Sequence, residues 1–138
     1  MFKIHATKGR SFEFESHINE FLVPRESTKS SETFLVVIKP GKSSHMHKHS
    51  DQEQTFYITK GSGEIWTKDA ARRASKKFCN IKPGDLVFIP INNWHQIRTT
   101  GKTNLEYICF NAFPQGFPKG EKTSLAHAKN VRKMQLGK

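Results

Sequence analysis

The chain has 138 residues, 35% of them hydrophobic and 11 of them Phe, which makes one domain with material for a real core and excludes a disordered chain. Its net charge of +11 comes from 23 Lys and Arg against 12 Asp and Glu. The basic residues are scattered, with local groups only at 68–77 and 119–138 and no nucleic-acid-binding motif beside them, so a solvated basic surface is expected rather than a nucleic-acid partner.

No run of about 18 apolar residues occurs, so no membrane span is expected. The start, Met1 to Ala6, lacks the roughly 7–15-residue apolar segment of a secretory signal, and a cytoplasmic protein is the expectation. Cys79 and Cys109 each lie in an apolar, strand-like run and read as buried thiols, not as a disulfide or a thiolate zinc site.

Residues 2–23 alternate weakly, through Phe12, Phe14, Ile18 and Phe21, and predict one or two short strands. Pro24 to Ser31 is a polar loop. Glu32 to Lys39 is β-branched and aromatic with no helical period, hence a strand. Phe34, Val36 and Ile38 alternate there with Leu35 and Val37, so both faces should be covered, by a second copy of the chain or an outer sheet. Pro40-Gly41 then suits a type II turn.

His45, His47 and His49 follow at intervals of two. In an extended strand such residues leave one face about 6.5–7 Å apart, and neighbouring imidazoles can converge on one metal ion. The rest of such a site must come from later in the chain, and His95 is the candidate. Gln54 to Thr59 is the next strand, and Lys60 to Gly63 is a hairpin signal leading into Glu64 to Thr67. Lys68 to Lys77 reads as a charged loop and Phe78 to Ile81 as a short strand. Ile38-Lys39-Pro40-Gly41 recurs as Ile81-Lys82-Pro83-Gly84, which suits two similar sheet corners. Asp85 to Ile89, Trp94 to Thr99 and Asn104 to Ala112 are three more strands.

After Phe113, Pro114, Gly116, Pro118 and Gly120 mark a linker. Leu125, Ala128, Val131 and Met134 then give one apolar stripe of a short C-terminal helix. Residues 1–113 are therefore expected as the β-domain and 114–138 as linker and basic helix or tail. Short strands with Gly and Pro turns and almost no helix predict an all-β double-sheet jelly roll or small barrel.

Two stretches resemble the paired motifs of the cupin family. The first, over 41–61, runs Gly41, five residues, His47-Lys48-His49, four residues, Gln54, six residues, Gly61; the second, over 84–99, runs Gly84, five residues, Pro90, then Asn92 to His95. The resemblance implies a double-stranded β-helix (jelly-roll) barrel and a divalent metal held by His47, His49, Gln54 and His95. Gln54 stands where the family usually has an acidic ligand, Asn92 where it usually has Gly, and Thr99 where it usually has Asn. Glu53 is the alternative to Gln54, but using it shifts the strand by one residue and reverses every later side chain. With Gln54 inward, Phe56 and Ile58 are inward too, whereas Tyr57 and Trp94 point away.

Three imidazoles and an amide oxygen are neutral, so Fe, Mn, Ni, Cu or Zn would keep its full charge and polarise a bound oxygen donor. His45, Phe56, Phe88 and Tyr107 are the expected substrate contacts; Trp66 and Phe110 are further wall candidates, and Glu64 and Glu106 possible acid–base groups. The resemblance implies a small metalloenzyme acting on an oxygen-rich, anionic or sugar-like molecule, as an isomerase or a dioxygenase. The alternative is a non-catalytic module that binds a sugar or small acid. A homodimer is expected.

Overall fold

A computed structural model describes residues 1–6, 9–71 and 73–137. Among these are nine strands, β1 (Arg10–Glu13), β2 (Ile18–Val23), β3 (Ser31–Ile38), β4 (Glu53–Lys60), β5 (Gly63–Lys68), β6 (Ser75–Ile81), β7 (Leu86–Ile89), β8 (Gln96–Thr99) and β9 (Leu105–Ala112), one 3-10 turn (Arg25–Ser27) and one α-helix, α1 (Ser124–Leu136). The strands form a six-stranded sheet in the order β1-β2-β3-β9-β4-β7 and a three-stranded sheet in the order β6-β5-β8. Every pairing is antiparallel.

The core lies between the sheets. Phe34, Val36 and Ile38 from β3, Phe56 and Ile58 from β4, and Tyr107 and Cys109 from β9 meet Ile65 of β5, Ile81 of β6 and Ile97 of β8. These residues keep the period of two that puts one face of each strand inward. The repeated Pro-Gly corners close as type II turns: Lys42 N donates to Lys39 O and Asp85 N to Lys82 O, each at 3.1 Å. Gly41 and Gly84 take φ of 75° and 93° there, values that cost a side chain but not glycine. Asn92 takes φ of 63°, so the turn that usually has Gly is kept by the residue that next best tolerates it.

Two expectations change. Residues 45–49 do not form a strand: His47 makes one isolated bridge, to His95, and its neighbours stay outside both sheets. Alternation by two is equally the pattern of an extended loop. In the polar loop, Arg25 is 1% exposed. Its Nε and Nη2 donate to the two carboxylate oxygens of buried Glu32 at 2.8 and 3.2 Å, and its guanidinium lies over the Phe113 ring at 4.6 Å. A buried charge is tolerated when it is paired and fully hydrogen-bonded in this way.

Helix α1 is capped by Thr123, whose hydroxyl accepts from Ala126 N at 3.1 Å. Ser124 Oγ accepts from Arg25 N at 2.9 Å and donates to Glu32 Oε2 at 3.1 Å, fixing the first turn on the barrel. Ala128 is in the core, with Leu125 and Val131 packed against it; Met134, the last residue of the expected stripe, is 61% exposed. No helix among the described residues is long and apolar enough to cross a membrane.

Candidate metal centre

His47 and His49 sit on the loop between β3 and β4, Gln54 is the second residue of β4, and His95 immediately precedes β8. Two main-chain bonds join the two histidine segments: His47 N donates to His95 O at 3.0 Å and His95 N to His47 O at 2.8 Å. Asn92 N adds a bond to His49 O at 2.7 Å. The backbone thus brings the rings together, with centroids 4.3 Å apart for His47 and His95 and 4.8 Å for His47 and His49. Among the described residues, His47, His49 and His95 form a group whose ligand nitrogens all lie within 4.8 Å of one another.

The tautomers follow from the bonds at the other ring nitrogen. His47 Nδ1 lies 2.7 Å from His45 O, and His95 Nδ1 lies 2.9 Å from Asn93 O. A carbonyl only accepts, so each Nδ1 carries the proton and each Nε2 keeps a free lone pair. Burial, reinforced by the neighbouring His47 and His95 rings, drives the pKa of His49 from 6.5 to about 2. Burial, together with His47, takes His95 to about 4 against the opposing bond to Asn93. His47 is lowered by burial as well. The three rings are neutral near pH 7, the form that binds metals.

Gln54 lines the same cavity as the three rings, and Glu53, one residue earlier, does not. Gln54 Nε2 donates to Asn111 Oδ1 at 3.0 Å, and Asn111 Nδ2 donates to Glu32 Oε1 at 3.0 Å. Gln54 Oε1 and His95 Nε2 are both buried without a hydrogen-bond partner. Two orphaned acceptors beside two further imidazoles are what a divalent ion would satisfy, so the donor set fits such an ion. When bound, it would supply Lewis-acid polarisation of an oxygen donor. His47, His49, His95 and Gln54 would hold it, while Asn111 and the carbonyls of His45 and Asn93 orient them.

Of the expected substrate contacts, Phe56, Tyr107 and the exposed His45 line the cavity. Phe88 does not. In the register of β4 with β7, Gln54 opposes Ile89 and Thr55 opposes Phe88, which turns Phe88 to the outer face, where it is 54% exposed. Phe110, also outward, is 48% exposed. Trp66 donates to Glu64 Oε2 at 2.8 Å, Glu106 pairs with Lys60, and none of these residues reaches the cavity.

Sequence reasoning missed His17. It lines the cavity, stacks on Phe14 with centroids 4.5 Å apart, and has its Nδ1 2.7 Å from Ser16 Oγ. Burial, then His47 and His45, lower its pKa to about 4. A lone histidine in a weakly alternating stretch carries no local signal. Helix α1 also contributes His127, Ala128 and Val131 to the wall.

The family model of the cupin domain matches residues 34–111, the segment that carries His47, His49, Gln54 and His95. The chain belongs to the cupin family. An uncharacterised protein of Methanocaldococcus jannaschii is 32% identical to this cupin over 95 residues, 68% of this chain and 70% of that one. Auxin-binding protein 1 of Arabidopsis thaliana is 30% identical over 88 residues, 62% of this chain but only 44% of that protein. A Thermotoga maritima crystal structure described as a predicted oxalate decarboxylase superposes with a TM-score of 0.69 at 21% identity, over 81% of this chain and 99% of that one, a likeness of fold.

Proposed function

We propose that this cupin holds one divalent transition metal (Fe, Mn, Ni, Cu or Zn) at His47, His49, Gln54 and His95, and uses it to bind and activate a small oxygen-donor molecule. The observation that carries this reading is the pair of buried, unpartnered acceptors, His95 Nε2 and Gln54 Oε1, facing the cavity that the other two imidazoles line. In this reading the neutral donors leave the ion its full charge, so coordination positions not taken by protein favour an anionic or chelating oxygen ligand. Isomerase-like proton transfer and dioxygenase-like cleavage are the two reactions such activation serves. His17, neutral and set back from the cluster, is the side chain suited to hold or move a proton.

Elemental analysis of the purified protein tests the metal: near-stoichiometric transition metal is expected, and its loss from His47→Ala and His95→Ala with the β-sheet circular dichroism unchanged. A metal-free protein that binds its ligand undiminished would sink the reading. A second reading, a binding module without turnover, is favoured by one relative's name, auxin-binding protein 1; metal-dependent binding with no reaction would select it. We further propose that two copies associate, through the exposed outer face of β4, β7 and β9.

A further inference from the structure

We propose that the ligand of this cavity is a chelating oxygen head, such as a 2-oxo acid, joined to an apolar body about one ring in size, and not a sugar or a phosphate ester. This rests on reading the histidine cluster as a metal site.

The cavity has a volume of about 340 Å³, at the small end of the range for ligand sites. Away from the histidines the larger part of its wall is apolar: Phe14, Phe34, Val36 and Phe56 come from the strands and their approaches, and Ala128 and Val131 from α1, with Ser44, Ser124 and Gln135 among the polar residues between them. Burying a ring against such a wall is favourable in proportion to the area removed from water. Stripping water from a hydroxyl without a replacement bond is unfavourable, and a sugar carries one on nearly every carbon.

The polar groups that remain do not suit a sugar phosphate. Among the described residues no Asp, Glu or Arg lines the cavity, and its one lysine is Lys48, an exposed residue whose ammonium sits 5.4 Å over the Trp94 ring. Trp94 itself does not line the cavity. Asn19 Oδ1 and Gln52 Oε1 are buried and unpartnered. Their oxygens accept and do not donate, so they offer nothing to a phosphate; they can take one or two ligand hydroxyls, fewer than a sugar carries. His17 and His127 reach the wall too, but the Nδ1 of each is engaged, by Ser16 and by Glu121 at 2.9 Å. A single anionic head at the metal and a greasy remainder is the arrangement these walls accept.

The test uses protein stripped with a chelator and reloaded with Co²⁺, whose visible absorption reports the metal independently of any ligand. Phenylpyruvate, pyruvate and glucose 6-phosphate are then titrated calorimetrically. Phenylpyruvate is expected to bind at least tenfold more tightly than pyruvate, with glucose 6-phosphate weakest. Val131→Asp, which puts a charge on the wall without touching the cluster, should erase that ratio and leave the Co²⁺ spectrum unchanged. Equal binding of pyruvate, tighter binding of glucose 6-phosphate, or no binding of any probe at millimolar concentration overturns the proposal while the Co²⁺ spectrum keeps the metal reading. Failure to take up Co²⁺ overturns both. The probe ratio in the unaltered protein decides the matter even if the variant does not fold.

Discussion

Gln54 donates its amide nitrogen to Asn111 Oδ1 across 3.0 Å, and the direction of that bond is dictated from the far side of Asn111. There the Glu32 carboxylate can only accept, so Asn111 must offer its Nδ2 to Glu32 and its oxygen to Gln54. Gln54 in turn must offer nitrogen, which leaves its oxygen free of that bond, buried and without a partner. A carboxylate two residues removed thus orients a proposed ligand.

Asn111→Leu breaks this orientation. The variant should stay folded and bind Co²⁺ or Zn²⁺ about 10–100-fold more weakly, read by competition with a coloured chelator. Unchanged metal affinity would show that Gln54 takes its orientation from elsewhere. Glu32→Gln is a harsher change, because it takes the paired carboxylate from the buried Arg25 guanidinium and leaves Glu121 Oε2, 3.7 Å from Nη1, as a more distant counter-charge; a loss of up to about 3–5 kcal/mol is expected from denaturant unfolding.

The metal-stripped protein should lose stability as pH falls. His49, His95 and His17 hold pKa values of about 2, 4 and 4 against 6.5 in an unfolded chain. Between 6.5 and about 4 the unfolded state binds protons that the native state refuses, so unfolding is favoured there. The penalty is absent well above pH 6.5; for His95 and His17 it grows down to about pH 4 and is bounded by about 3 kcal/mol each, and for His49 it goes on growing to about pH 2. Urea midpoints at pH 8, 6 and 5 measure it, and midpoints that rise on acidification contradict the burial of these rings.

Tyr57, Leu86, Phe88 and Phe110 are 44, 64, 54 and 48% exposed and share the outer face of β4, β7 and β9 by register. A contiguous apolar face of this kind marks an interface. Sedimentation at micromolar concentration should give a dimer, and the double variant Leu86→Lys, Phe88→Glu a monomer of unchanged fold. A monomeric starting protein defeats the expectation. The strand first suspected of forming this interface, β3, does not need it, because Leu35 on its outer side is 7% exposed within the single chain.

Thr123→Ala removes the acceptor for Ala126 N at the start of α1. A loss of about 1 kcal/mol is expected, seen as a lower unfolding midpoint.

Much of the barrel was legible because turn chemistry and period-two burial are local. Pro40-Gly41 and Pro83-Gly84 announce their corners, and β3, β4 and β9 alternate in plain view. Motif spacing and strand parity together favour Gln54 over Glu53, and Phe56 and Ile58, both buried, keep that parity. What failed was what only pairing decides. Phe88 faces out because Ile89, not Phe88, opposes Gln54, a register that no single strand encodes. Arg25 reads as a residue of a polar loop, and charges there usually face solvent; its burial depends on Glu32 and on Ser124, 99 positions away. His17 and His127 reach the cavity from opposite ends of the chain, where spacing says nothing.

Glu32 holds two things at once, Asn111 on one oxygen and Ser124 on the other. The tail is therefore no passive appendage: whatever loosens its first turn slackens the amide chain behind Gln54. Cavity shape and the set of Gln54 are tied by a single carboxylate, and neither can drift far without the other.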